Sequence, residues 1–142
     1  MFKLLSSLLT AALLGGFAQA QSCATLGVTS APGQNPSVTV FTFALHGDAH
    51  APAGLAIGPT AGSTSIALGS LGTLDLGLAR PFEILFIGVT DAAGDVSHVV
   101  RAPNSLPGRN LNAQGFTVTF TAQPQPTLSF CTSNVVSFHI GT

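Results

Sequence analysis

Short apolar stretches, each closed by glycine, proline, asparagine or aspartate, dominate the chain after residue 20. No long window there places apolar residues at the spacing of an amphipathic helix, so the pattern indicates β-strands separated by turns. The clearest alternation is Phe116–Phe120, where Phe and Val would face a core and Thr would face water. We predict strands at Ala24–Thr29, Val38–Leu45, Ala53–Ile57, Thr64–Leu68, Thr73–Leu78, Phe82–Thr90, Val96–Arg101, Gly115–Ala122, Leu128–Thr132 and Val135–Ile140.

The second of these strands changes phase along its length. Val38 and Val40 fall on one face, whereas the apolar residues from position 41 onward fall on the other. Either the strand is buried on both faces, or a bulge near Val40 turns it. We expect the following residues to belong to the core or to a strand buried on both faces: Phe41, Phe43, Phe116, Val118 and Phe120.

The residues between the predicted strands are suited to turns. Asp91–Gly94 combines an Asp that can accept backbone hydrogen bonds with a Gly that tolerates positive φ, which predicts a tight hairpin. Pro103–Gly108 predicts a longer connection, and Gln123–Pro126 predicts an extended polar loop. The glycines recur at uneven spacing, which argues against a solenoid. Many short strands in one domain-sized chain favour an all-β fold, a single antiparallel β-sandwich of Ig-like character.

The first twenty residues have the layout of a secretory signal peptide. Lys3 gives a positive start, Leu4–Leu14 is mostly apolar but too short to span a bilayer, and Ala18–Ala20 ends in small residues. We therefore expect a signal peptide helix at residues 1–20 and a β-sandwich domain at residues 21–142. The expected destination is secretion, the periplasm or the cell surface, with no integral membrane span in the exported chain.

Cys23 and Cys131 are the two cysteines of the chain. In an oxidising compartment an even pair predicts a disulfide, here closing a loop of about one hundred residues that is worth roughly 4–5 kcal/mol at most. Lipid attachment at Cys23 is the alternative. The preceding Ala20–Ser22 lacks the apolar residue that usually stands before a lipidated cysteine.

Charged residues make up 6% of the chain, against about 25% in ordinary domains. Three arginines and five carboxylates give residues 21–142 a formal charge of −2. Without a basic patch to neutralise phosphates, nucleic-acid binding is not expected. Ten Phe and many Val, Ile and Leu argue against disorder. A surface this poor in charge suits a chain that packs against neighbours, such as an envelope or matrix protein.

His46, Asp48 and His50 form the sharpest local candidate for a metal site. On an extended segment these alternate positions share a face, so two imidazoles and a carboxylate could hold zinc or copper. The competing interpretation, which we favour, is a polar turn after the second strand. Likewise, Asp91 and Asp95, with Asp75 as a remote third acid, could hold calcium or simply build a turn. We predict no metal and no cofactor.

Catalytic patterns are not found. The sequence has no Gly-x-Ser-x-Gly elbow and no phosphate-cradling glycine loop, and its single Glu and few Asp after residue 20 do not suggest a paired-carboxylate site. Trp and Tyr, the usual platform for sugars, are absent. We therefore predict that the protein is not an enzyme.

A set of short motifs runs through the last third of the chain: Ala102–Gly108, Leu111, Gln114, Leu128, Ser133-Asn134 and Ile140-Gly141. Together they resemble an uncharacterised family of secreted bacterial domains that often closes large exported proteins. Separately, Thr90–Ser97 is similar to a hairpin common in bacterial Ig-like surface modules. The resemblance implies a β-sandwich and implies no activity.

The sequence thus favours a secreted, non-catalytic module with a structural or adhesive role. The alternative is a protein that binds a glycan or cation through the loops at one end of the sandwich, namely His46–His50 and Asp91–Asp95. Side chains converging on one point would favour binding, and splayed side chains would favour the structural role. The oligomeric state is left open by the sequence.

Overall fold

The computed structural model describes residues 23–142, so the predicted signal peptide at residues 1–20 lies outside the described residues. Within that range the chain is built almost entirely of β-strands, with one short 3-10 turn at Gly69–Leu71. The strands are β1 (Thr25–Pro32), β2 (Val38–His46), β3 (Pro52–Gly58), β4 (Ala61–Ala67), β5 (Thr73–Leu78), β6 (Glu83–Val89), β7 (Asp95–Pro103), β8 (Arg109–Thr121) and β9 (Thr127–Ile140).

The strands form three sheets that stack with one sheet in the middle. The central sheet has the strand order β6-β3-β8-β9. The three-stranded sheet β1-β2-β7 covers one of its faces, and the β4-β5 hairpin covers part of the other. Every paired strand runs antiparallel to its neighbour. This confirms the predicted all-β, antiparallel sandwich.

The main core lies between the three-stranded sheet and the central sheet. Phe41, Phe43 and Leu45 of β2 point into it, and none of them is more than 4% exposed. The rings of Phe41 and Phe43 meet the ring of Phe138 on β9, with centroids 5.3 and 5.2 Å apart. Leu55 of β3 is fully buried in the same cluster. Burial of these large apolar side chains supplies most of the driving force for packing the two sheets together.

The phase change in β2 needs no bulge. Its register with β1 and with β7 runs without a shift from Val38 to His46. Val38 and Val40 instead lie half-buried on the face opposite to the main core. The first of the two predicted alternatives therefore comes closer: β2 is deeply buried on one face and partly covered on the other.

A second, smaller core lies between the central sheet and the β4-β5 hairpin. Leu74, Leu76 and Leu78 alternate along β5 and pack against Ala56 of β3 and Phe116 of β8. The hairpin contacts β8, β9 and β3. It therefore covers the β9 side of this face.

Gln114 joins the hairpin to the central sheet by two hydrogen bonds. This side chain is 6% exposed. Its Oε1 accepts a hydrogen bond from the backbone N–H of Gly77 at 2.7 Å, and its Nε2 donates to the carbonyl of Ser133 at 2.7 Å. Both ends of a buried amide are thus satisfied, as a buried polar side chain requires.

The last two predicted strands are one strand, β9, and the predicted break at Ser133-Asn134 was wrong. The register with β8 shifts between Gln114 and Phe116, where the hydroxyl of Ser133 accepts a hydrogen bond from the N–H of Gly115 at 2.9 Å. This irregularity lets β9 stay paired with β8 on both sides of the polar residues. The pairing also extends β8 towards the N-terminus, to Arg109.

A disulfide joins Cys23, just before β1, to Cys131 in β9. The Cα atoms of the two cysteines are 5.4 Å apart, within the usual range. The neighbouring backbone supports the same junction, since the N–H of Ala24 donates to the carbonyl of Thr132 at 3.3 Å. The predicted pairing of the two cysteines is present in the structure.

Candidate functional site

The loop after β2 holds the three candidate metal ligands, and the structure directs two of them to different partners. His46 lies 2.8 Å, Nδ1 to Oδ1, from Asp95 at the start of β7. Asp48 instead accepts hydrogen bonds through Oδ2 from the hydroxyls of Thr117 and Thr119 on β8, at 3.3 and 3.2 Å. These contacts connect the loop to two different sheets.

The backbone of this loop is held by a buried threonine. Thr90 is 2% exposed, and its hydroxyl donates to the carbonyl of Asp48 at 2.5 Å while accepting from the N–H of Ala51 at 2.9 Å. The N–H of His50 donates to the carbonyl of Asp91 at 3.2 Å, and His50 itself has a φ of 50°. The loop is therefore fixed to the turn that connects β6 with β7.

Asp91 builds the predicted turn, but the predicted hairpin was wrong, because the turn connects β6 and β7, which belong to different sheets and do not pair. Its Oδ1 accepts hydrogen bonds from the N–H groups of Ala93 and Asp95, both at 2.9 Å, and Gly94 supplies a φ of 87°. The hydrogen bond from Asp95 is the main cause that lowers the pKa of Asp91 below its ordinary value of 3.8. Backbone donors favour the charged carboxylate, so the turn is stabilised by ionised Asp91. The predicted Asx turn is confirmed.

The polar residues at this end of the sandwich thus serve the fold rather than one shared point. Within residues 23–142 no group of three or more His, Cys, Asp and Glu side chains could hold a metal ion. Asp75 lies on β5 and pairs with the hydroxyl of Ser65, remote in the topology from the Asp91 turn. His139 is engaged with the side chain of Asn110 on β8.

Strand β6 carries the most unusual surface of the molecule. It is the terminal strand of the central sheet, so one edge of its backbone pairs with no strand of the described part of the chain. Four of its apolar residues are exposed: Ile84 (44%), Leu85 (36%), Phe86 (71%) and Val89 (57%). We call these four residues the β6 strip. Ile84, Phe86 and Val89 lie opposite Ala56, Gly54 and Pro52 of β3 and face the side of the sheet that the β4-β5 hairpin covers. Leu85 lies opposite Leu55 and faces the other side.

An apolar groove of about 200 Å³ lies beside the β6 strip. The alignment of three neighbouring strands creates it: Phe86 of β6 and Phe116 of β8 both lie opposite Gly54 of β3. The ring of Phe116 covers Gly54, where any Cβ would collide with that ring. The residues that shape the groove are Pro52, Gly54, Ile84, Phe86, Phe116 and Val118.

Phe120 is 61% exposed, so its predicted burial was wrong. It lies two residues beyond Val118 on the same face of β8, past the end of the β3 partner, where neither β3 nor the hairpin covers it. Phe41, Phe43 and Phe116 are buried as predicted, and Val118 is half-buried. The alternation in β8 correctly gave the face of each side chain, but it could not tell how far the covering layer extends.

Sequence reasoning placed β6 but not its exposure. A run such as Ile84–Ile87, apolar at consecutive positions, is typical of a strand buried on both faces. Here the same run stands at a sheet edge. A strand that is apolar on both faces is unusual at the edge of a sheet. The sequence shows the apolar run, but only the strand order shows that the run lies at an edge.

Comparison with protein-family models, with characterised proteins and with solved structures found no match for this chain. The resemblance to secreted bacterial sandwich domains therefore stays a prediction from the motifs. Across residues 23–142, no helix has the length and apolar character needed to cross a membrane.

Proposed function

We propose that this chain is an exported, non-catalytic, Ig-like β-sandwich module with a structural or adhesive role at the cell envelope or outside the cell. It attaches to protein through the edge of β6, where an extended strand would extend the central sheet. The observation that carries the proposal is the β6 strip, with Phe86 71% exposed beside an apolar groove. Exposed apolar surface next to an unpaired strand edge is typical of β-strand addition.

The contacts of His46 and Asp48, in the loop after β2, also support the structural role. His46 contacts Asp95, and Asp48 contacts two threonines of β8, so these side chains fix loops to strands. An ion or sugar would have to displace those contacts before binding there. This favours the structural role over the alternative of ligand capture by the loops.

The first experiment tests attachment in the producing cells. We compare the wild-type chain with Phe86→Ser and with the matched control Val99→Ser, an apolar residue of β7 that is 41% exposed. Immunoblots of envelope, matrix and medium fractions measure where each exported chain resides. We expect wild type and Val99→Ser to be retained and Phe86→Ser to be released. Complete release of the wild-type chain as free protein would overturn the proposal.

The second experiment addresses the loops. Purified chain without a histidine tag is titrated with zinc, copper and calcium by calorimetry, alongside His46→Ala/His50→Ala. We expect no stoichiometric micromolar binding that depends on the two histidines. Such binding in the wild type, lost in the double variant, would contradict the structural role and support ligand binding.

A further inference from the structure

We propose that, when β6 is not attached to another protein, its edge pairs with β6 of a second copy, so that two chains form an antiparallel homodimer with one continuous eight-stranded sheet. This inference rests on the proposed function, since it uses the same strand edge. Three features of the described residues carry it: the lack of protection at this edge, its symmetry, and the apolar area it exposes.

Along its regular stretch, Glu83–Phe86, the edge of β6 carries few of the devices that usually prevent strand pairing, and its β-bulge comes only after Phe86. Charged side chains and prolines commonly protect edge strands. Over its seven residues β6 carries one charge, Glu83, and no proline. By contrast, β7 has Asp95 at its start, Arg101 near its end and Pro103 as its last residue.

The edge of β1 is protected in a different way. The side-chain amide of Asn134 on β9 accepts a hydrogen bond from the N–H of Leu26 at 2.9 Å and donates to its carbonyl at 3.1 Å. A side chain thus occupies backbone groups of β1 that a foreign strand would need. The strand bonds of β6 are to β3 alone.

The regular part of β6 is suited to pairing with itself. Its register with β3 is unbroken from Glu83 to Phe86, and the irregularity that follows, with Gly88 at a φ of 132°, ends the regular stretch. A two-fold axis near Leu85 would then place Ile84 of each copy opposite Phe86 of the other. Both cross-strand pairs are apolar and lie on the groove side of the sheet, where such pairs stabilise strand association.

The single charge does not oppose this arrangement. With the axis near Leu85, the two Glu83 residues are offset by four positions, about 13 Å along the strands at the usual rise per residue. That separation exceeds the Debye length of about 8 Å at physiological ionic strength, so their repulsion is largely screened. The described chain thus meets its own copy without an unfavourable charge pair at this edge.

The exposed area matches what a modest dimer needs. Taking about 150–200 Å² for each large apolar side chain, the exposed fractions of the β6 strip amount to roughly 300–400 Å² per copy. Two copies, together with the paired strand edges, would bury about 1,000 Å², the size at which specific interfaces begin. We therefore expect a reversible dimer with a dissociation constant in the micromolar range.

Sedimentation velocity of the purified exported chain, from about 5 to about 500 µM, measures this equilibrium. We expect a monomer–dimer transition in the wild type. Leu85→Lys places two like charges across the axis and should raise the dissociation constant more than about tenfold. The matched control Val99→Lys should change it less than about twofold, because Val99 lies outside the interface. Circular dichroism melting confirms that both variants fold.

Cysteine cross-linking tests the position of the axis. Leu85→Cys should form an interchain disulfide under mild oxidation, whereas Val99→Cys should not, with the native Cys23–Cys131 bond checked by peptide mapping. A wild-type chain that stays monomeric at every concentration, or Val99→Cys cross-linking as fast as Leu85→Cys, would overturn self-pairing. If the wild type is monomeric but Phe86 still controls retention in the cell, self-pairing fails while the proposed attachment through β6 stands.

Discussion

Removal of the Cys23–Cys131 disulfide should destabilise the domain strongly, although one of the two cysteines lies at its very start. The bond links residues 108 positions apart, so the closed ring contains eight of the nine strands and the first residues of β9. In the chain-entropy model the stabilisation grows with the logarithm of ring length. A ring of this size is worth about 4.7 kcal/mol at 25 °C, close to the largest value the model gives for a domain of ordinary size.

This free energy converts into a large shift of the melting temperature. At about 2.1 cal/mol/K per residue, a domain of this length has an unfolding entropy near 0.25 kcal/mol/K, so we expect the midpoint to fall by about 15–20 °C. If the disulfide had only a local role, the midpoint would fall by much less. If the bond only held Cys23 against β9, its loss would fray the start of β1, where the N–H of Ala24 already donates to the carbonyl of Thr132.

The assay compares oxidised wild type, wild type in a thiol-free reductant, and Cys23→Ala/Cys131→Ala. Calorimetry gives the midpoints, and urea titration gives the free energy of unfolding and its dependence on urea. Reduced wild type keeps both sulfur atoms in place and therefore isolates the cross-link from the packing of Cys131, which is 6% exposed. We also expect a steeper urea dependence without the bond, because the unfolded chain then exposes more surface.

One result would refute the entropy argument. If reduced wild type melts within about 3 °C of the oxidised protein and has the same urea dependence, the bond does not constrain the unfolded chain appreciably. A reduced wild type that matches the oxidised one, combined with an unstable double variant, would assign the effect to packing around Cys131 instead.

Three further predictions concern the core, the hairpin and the turn. Phe43→Ala should lower the free energy of unfolding in urea by about 3–5 kcal/mol, because Phe43 is fully buried. Phe120→Ala should change it by less than about 0.5 kcal/mol, because Phe120 is 61% exposed. Equal losses of stability would contradict the assigned burial of the two rings. Gln114→Leu should cost about 1–3 kcal/mol by leaving the N–H of Gly77 without its acceptor, and unchanged stability would contradict that role. Because the pKa of Asp91 is lowered in the folded state, its contribution is present above pH 3.8 and is lost as the pH falls through the lower folded-state value. Asp91→Asn should therefore flatten the acid side of the stability–pH curve, and an unchanged curve would contradict the turn's dependence on charge.

Local chemistry was sufficient to predict most strands and turns. Alternation of Phe and Val with Thr fixes which side chains of Phe116–Phe120 share a face, since successive side chains of a strand point to opposite sides. Asp91 and Gly94 likewise specify their turn through hydrogen bonds and a positive φ that depend only on near neighbours. Two cysteines permit one intramolecular pairing, so the sequence was also sufficient to predict the disulfide.

Pairing between distant strands could not be predicted in the same way. The merging of the last two predicted strands into β9 depends on an irregularity opposite Gly115, which only the partner strand reveals. The spacing of His46 and Asp48, which resembles that of metal ligands, also did not predict their contacts. In the folded chain their partners are Asp95 and the β8 threonines, which are remote in sequence.

Only the tertiary structure shows that the β6 strip is exposed. The sequence determined that residues 83–89 form an apolar strand, because that property follows from the side chains and their backbone preferences. Whether such a strand is a buried centre or an exposed edge depends on strand order and on how far the β4-β5 hairpin reaches, and both are set by long-range packing. The same seven residues would be ordinary core in the middle of the sheet. At its edge, beside Gly54 and Phe116, they form an exposed apolar surface instead.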